Sequence, residues 1–432
     1  MKFGMFYEHQ LPRPWTQDSE RRLYQEALEQ VELADQVGID YVWEVEHHFL
    51  EEYSHSSAPE IFLAACSQRT KNIRLGHGVM LMPASYNHPA RAAERIATLD
   101  LVSNGRVEWG TGESATAVEM LGFGIDHKLK TAMWRESAEQ AANMLAMQPY
   151  PGFKGQYFEM PARNIVPKPV QRPHPPMWMA CSRRETIHRA AQQGLGALTF
   201  AFVEPEQAAK WVQEYYDIIK SSDCVPVSHT VNPNIAIVSG MSLHEDADEA
   251  ARRGLDGFRF FGYSLGYYGM YGQHKPGRSN VWEKFLEVKD QLQDNAGRGG
   301  IGTPDQVREH LMRYEKIGID QVIFVQQSGN NKHEHICESL ELFGKALLPE
   351  FKARDRVREE EKRKELAPYI AAALARKPRM AELADDDIPV VDSFGRSHAK
   401  VGVAQASTFA DRGGAIAIPR SDPHAKKAGV AE

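Results

Sequence analysis

Short apolar segments alternate with longer stretches of helical periodicity along residues 1–350, and this alternation constrains the fold more than any other property of the chain. Strand-like runs at 2–7, 40–45, 73–82, 107–111, 177–180, 197–202, 234–239 and 321–326 are separated by helical patterns at 19–37, 88–102, 134–147, 185–193, 206–219 and from 303, with a last helix at 334–347. In the first of these helices Leu23, Ala27, Val31, Ala34 and Val37 share one face, and Gly38 supplies the residue that stops it. Strands that alternate with helices pair in parallel, because each helix returns the chain to the edge where the next strand starts. Eight alternations predict an α/β fold, a (β/α)8 TIM barrel with insertions over residues 1–350, followed by a C-terminal extension at 351–432. An open doubly wound sheet is the rival; the first strand lacks the glycine-rich turn that a dinucleotide fold places there.

Composition bounds the function. The 432 residues are 42% hydrophobic and 25% charged, enough for a full globular core. A net charge of −7, from 51 basic and 58 acidic residues, argues against nucleic acid or an anionic membrane as main partner. Cys66, Cys181, Cys224 and Cys337 form no CxxC pair and read as reduced thiols. The N-terminus has no signal-peptide pattern, and no run approaches the roughly 18–20 apolar residues of a membrane span. A cytoplasmic enzyme is the expectation.

Two regions break the regular pattern. Residues 254–302 set Phe258, Phe260, Phe261, Tyr263, Tyr267, Tyr268, Tyr271 and Trp282 among glycines, as expected of an aromatic active-site lid. The extension is densely charged at 352–364, with a short helical pattern at 366–375, and its remainder reads as an extended, partly disordered arm.

Polar residues gather after the second to fifth strands, where a barrel builds its active site. The sharpest group is Glu44-Val45-Glu46-His47-His48-Phe49. Neighbouring side chains at a strand end point to opposite sides, so only one of the two histidines can face the barrel axis. With no further ligand cluster at the other strand ends, a metal centre is not expected. One histidine at the catalytic rim suits acid–base work.

The run 40–49 resembles the second-strand signature of the bacterial luciferase-like flavin monooxygenases. So do Lys2-Phe3-Gly4-Met5-Phe6, residues 75–83, His88-Pro89, residues 103–110, Gly122-Phe123-Gly124 and Gly302-Thr303-Pro304, all in the family's order. The resemblance implies the barrel, reduced FMN as cofactor, and formation of a peroxyflavin with O2 that oxygenates a small aldehyde, ketone or aromatic substrate. It implies a separate NAD(P)H:flavin reductase as partner and a homodimer or higher homo-oligomer. His47 then lies beside the flavin as the catalytic residue, with His48 a structural neighbour. Gly78 and Val79 fall where the family places a non-prolyl cis peptide under the flavin ring. Ser182, Arg183 and Thr186 lie at the phosphate-binding turn, where a helix start offers amides to an anion. At the fourth strand, Gly112 and Glu113 stand where luciferases carry a reactive cysteine and a phosphate-binding arginine. A carboxylate repels a phosphate, so Arg183, Arg184, Lys130 or Arg135 must serve the anion, or Glu113 must turn away, towards substrate. This favours a non-luminous monooxygenase. Tyr7, Glu8 and His9 at the first strand end, Tyr53 in the loop after His48, and Tyr263 of the lid complete the expected substrate contacts. The alternatives are a deazaflavin-dependent reductase or dehydrogenase on the same barrel and a non-catalytic flavin-binding subunit.

Overall fold

In the computed structural model, which describes residues 1–200, 204–292 and 299–392, eight parallel strands close on themselves. They are β1 (Lys2–Tyr7), β2 (Tyr41–Glu44), β3 (Arg74–His77), β4 (Val107–Gly112), β5 (Met177–Cys181), β6 (Gly196–Thr199), β7 (Ile235–Leu243) and β8 (Gln321–Gln327). β1 pairs with both β2 and β8, and β6 with β7, so the sheet has no open edge. Closure of eight parallel strands with helices outside is the TIM barrel expected from the alternation. The expected sixth strand, 197–202, ends partly outside the described residues.

Alternation along each strand sorts the core into two layers. Phe3, Met5 and Tyr7 of β1 face the helices, whereas Phe6 joins Trp43, Trp178, Leu198, Val238 and Ile323 inside the barrel. Trp43 and Trp178 meet edge to face at 5.4 Å. Their bulk is admitted by glycines on the next strands: a Cβ on Gly76 would lie 2.3 Å from the Trp43 ring, and one on Gly196 would lie 2.4 Å from Trp178. The Trp178 indole N–H donates to Glu108 Oε2 at 2.6 Å, and Arg74 pairs with the other oxygen.

Several elements differ from the sequence reading. Helix Pro59–Arg69 was not expected, because Ile61-Phe62-Leu63-Ala64-Ala65-Cys66 is apolar all round and leaves no stripe of period 3.6. A β-hairpin, Tyr150–Lys154 with Glu159–Arg163, is inserted before β5. The expected third strand, 73–82, is interrupted: β3 ends at His77 and a two-residue strand, Met80–Leu81, resumes against β4. At the break, the Gly78 N–H donates to Glu44 O at 2.7 Å and the Glu46 N–H to Val79 O at 3.0 Å. Every cis peptide among the described residues precedes a proline, so the Gly78–Val79 bond is trans, with these two hydrogen bonds holding its flanks.

Residues 348–376, expected as a charged arm with a short helical piece, form one 29-residue helix, and the compact unit runs from Met1 to Glu382. Its charges have partners at the N-terminal end of the barrel: Lys362 and Arg358 bind Asp320, and Asp355 binds the Met1 amino group at 2.7 Å. Of residues 383–432, grouped as a second unit, 383–392 are described and hold a single turn, Asp385–Asp387. The expected lid contains helix Ala247–Gly266, a π-turn Tyr267–Tyr271 and helix Val281–Val288; 293–298 lie outside the described residues. No helix among the described residues is long and apolar enough to cross a membrane.

Candidate active site

His47 stands at the C-terminal mouth, its backbone fixed by donation to Ser56 O at 2.8 Å. Its ring lies between two carboxylates. Nδ1 is 2.8 Å from Glu119 Oε1, and Nε2 is 3.7 Å from Glu8 Oε2. Glu119 sits in helix Ala117–Gly122, fully buried, and also accepts from Ser114 Oγ, Thr116 Oγ1 and the His48 N–H. Burial would raise its pKa, but the His47 charge and these donors outweigh it and hold the carboxyl below its ordinary range. Burial likewise opposes a charge on His47. The facing Glu119 and Glu8 overcome it and push the imidazole up to about 9, so the ring is an imidazolium at neutral pH.

Glu8 is in a different state. It is 3% exposed, with Oε1 accepting from the Tyr53 hydroxyl at 2.7 Å and Oε2 buried without a hydrogen bond. Burial raises its pKa to about 7, only partly offset by His47 and Tyr53. The Tyr53 ring lies 5.6 Å from His47 and 5.8 Å from Phe261.

Several expected contacts move. The Tyr7 hydroxyl donates to Gln30 Oε1 at 3.0 Å, beneath the first helix, so strand alternation gives its place at the mouth to Glu8. His9 is likewise turned outward, 3.0 Å from Glu44. Tyr263 packs on Tyr267, Tyr271 and Phe285; two residues earlier, on another side of the same helix, Phe261 reaches Phe6 and Tyr53. His48 turns from His47 to Glu46 Oε1 at 3.2 Å and packs on Phe123.

Gly78, Val79 and Gly112 form the apolar floor beside β3 and β4. A Cβ on Gly112 would meet Val79 Cγ2 at 2.3 Å, so only glycine permits this approach. Glu113 points to Lys130 at 3.5 Å and Arg189 at 3.8 Å, and these cations neutralise the carboxylate that would repel an anion. Arg184 is taken by Glu214. The Thr186 hydroxyl is spent on the helix start, donating to Arg183 O at 2.7 Å and accepting from the Arg183 N–H. Ser182 and Arg183 are exposed at the N-terminus of helix Arg184–Gln192 and their side chains make no hydrogen bond among the described residues. A hydroxyl, a guanidinium and helix-start amides fit a phosphate, and the Val79–Gly112 floor fits a flat ring.

Glu119 escapes sequence reading because Thr116-x-x-Glu119 has the form of a helix-capping pair; the threonine caps, while the glutamate turns to His47.

The sequence profile of the luciferase-like monooxygenase family matches residues 1–321. The chain is 24% identical to the oxygenase component of a flavin-dependent trigonelline monooxygenase from Acinetobacter baylyi, over 81% of this chain and 96% of that protein. A monooxygenase from Streptomyces bottropensis, RslO1, superimposes with a TM-score of 0.66 at 26% identity, covering 81% of this chain and all of the other. The coenzyme F420-dependent tetrahydromethanopterin reductase of Methanopyrus kandleri shares the fold at 19% identity, with a TM-score of 0.60 over 81% and 99% of the two chains. With the profile spanning β1 to the start of β8, the chain belongs to the luciferase-like monooxygenase family.

Proposed function

We propose that this chain is the oxygenase of a two-component flavin-dependent monooxygenase, taking reduced FMN from a separate NAD(P)H:flavin reductase and oxygenating a small aldehyde, ketone or aromatic substrate. The reading rests on an imidazolium held between two buried carboxylates, supported by the Val79–Gly112 floor and by a helix start at which the Ser182 and Arg183 side chains make no hydrogen bond among the described residues. Reduced FMN bound there would supply the electrons that activate O2. Ser182, Arg183 and the helix-start amides would hold its phosphate, and Val79 with Gly112 would seat its ring. Glu119 accepts from the His47 Nδ1–H and orients the ring, and the charged imidazolium keeps a second N–H, at Nε2, that would donate to a ligand. The Tyr53 ring packs on His47 and in turn on Phe261, and a hydrogen bond from a buried donor to an oxygen with developing charge is stronger than one made in water.

The test is stopped-flow absorbance after anaerobic loading with reduced FMN and admission of O2. The expected result is reoxidation far slower than that of free FMN. Reoxidation at the free-flavin rate, together with tight deazaflavin binding, overturns the reading in favour of hydride transfer. His47→Ala is expected to shorten the delay by roughly 10²-fold or more, the loss typical of removing one preorganised donor, while FMN affinity changes little.

A further inference from the structure

The acid–base machinery around His47 is asymmetric. At Nδ1 the ring meets a carboxylate saturated by four donors: His47 itself, Ser114, Thr116 and the His48 N–H. At Nε2 it faces Glu8 Oε2, which is buried, accepts no hydrogen bond and stands 3.7 Å away, too far for one and near enough for a small rotation to make one. Among the described residues the one hydrogen bond to the Glu8 carboxyl comes from Tyr53, at the other oxygen. Glu44 and Glu119 add negative charge nearby, and the lid side presents the apolar Phe261.

We propose that Glu8 gates the site by its protonation: ionised, it draws the His47 Nε2–H to itself, and protonated, it releases that donor to a ligand oxygen. The inference deepens the functional reading above, since it rests on His47 as the donor to the reacting oxygen. In the ionised state both imidazolium N–H groups are spent on carboxylates of the protein. In the protonated state the new proton sits on Oε2, because Oε1 already accepts from Tyr53. Glu8 Oε2–H and His47 Nε2–H then form a pair of donors that one accepting oxygen can bridge. A buried carboxyl kept neutral so that it can donate is an established way to stabilise negative charge on oxygen. Burial with few donors puts the Glu8 titration near neutrality, whereas His47 keeps its own proton to about 9. The group that titrates in the working range is therefore the glutamate and not the histidine.

The two halves are tested separately on the full chain. In the unloaded protein, 15N resonances of the His47 ring, assigned against His47→Ala, are followed from pH 5 to 10. The expected curve has a step near 7 that reports Glu8 and a second near 9 that reports the ring; the first is absent in Glu8→Gln. In turnover with reduced FMN supplied, kcat/KM is expected to fall roughly tenfold per pH unit above the first step. In Glu8→Gln that limb moves to the second step. Tyr53→Phe removes the donor that favours the ionised carboxylate, so both the spectroscopic step and the kinetic limb move together to higher pH. A His47 ring without a neutral step, a step that survives Glu8→Gln, or a kinetic limb that ignores both variants overturns the proposal. A clear neutral step in a protein that shows no oxygenase activity would instead remove the functional reading and leave the Glu8–His47 coupling standing.

Discussion

Asp320, just before β8, and Glu8, just after β1, are each 3% exposed, at opposite ends of the barrel, and their surroundings differ in kind. Asp320 Oδ1 accepts from Lys362 at 2.9 Å and Arg358 at 3.0 Å, and Oδ2 from the Ile235 N–H at 2.8 Å and from the Tyr216 hydroxyl. Glu8 has, among the described residues, one hydrogen bond for its two oxygens. A buried charge that is fully partnered locks structure in place, whereas one left under-partnered shifts its proton equilibrium and becomes available for chemistry. The helix Leu348–Arg376 supplies both cations to Asp320, so the charged extension serves the stable end of the barrel. The contrast follows the division of labour of this fold, with stability at the N-terminal face and activity at the C-terminal one.

The contrast can be broken most directly at its stable end. Asp320→Ala strands Arg358 and Lys362 against a buried backbone and is expected to cost about 3–5 kcal/mol in urea denaturation. A loss under about 1 kcal/mol would show that the cations rehydrate freely and that the end is not locked.

A smaller effect separates the two ends by pH. Glu359 is pulled down to about 2, burial being outweighed by Lys362 and Lys2, so its contribution is intact above its unfolded pKa and is lost only as pH falls through the folded value. Glu8 is raised to about 7, so the folded state binds its proton more tightly than the unfolded one. The stability that this proton confers is present below the unfolded carboxyl pKa, about 4.3, and is lost as pH rises through 7. Between pH 5 and 8 the wild type should lose stability relative to Glu8→Gln, and a parallel pair of curves would refute the assignment. The smallest expected change is at Lys352, whose side chain is 41% exposed and 3.3 Å from Asp40. Lys352→Ala should cost less than about 1 kcal/mol by thermal melting, because a solvated pair gains little.

Much of the fold was legible because the two periods, 2 and 3.6, alternate cleanly and Gly38 marks a helix end. What escaped lacked a period: helix Pro59–Arg69 is apolar on every side, and hairpin 150–163 alternates weakly. The place of His47 at the C-terminal mouth was legible from its position directly after the second strand. Side-chain direction was harder. Tyr7 and Glu8 are neighbours whose sides are set by strand register, and Tyr263 and Phe261 are set by helical phase; a one-residue difference exchanges wall for mouth. Glu119 depends on a fold contact across 72 residues, which no local pattern records.

The tryptophan plug has a kinetic consequence. With Trp43 and Trp178 wedged against Gly76 and Gly196, the two rings fill the barrel interior between β2, β3, β5 and β6 and leave ligands the C-terminal rim, where this fold builds its sites. Whatever binds would then enter past the rim to which β1, β2 and the aromatic helix Ala247–Gly266 contribute. Changes in throughput should therefore be sought in the residues of that rim before the chemistry.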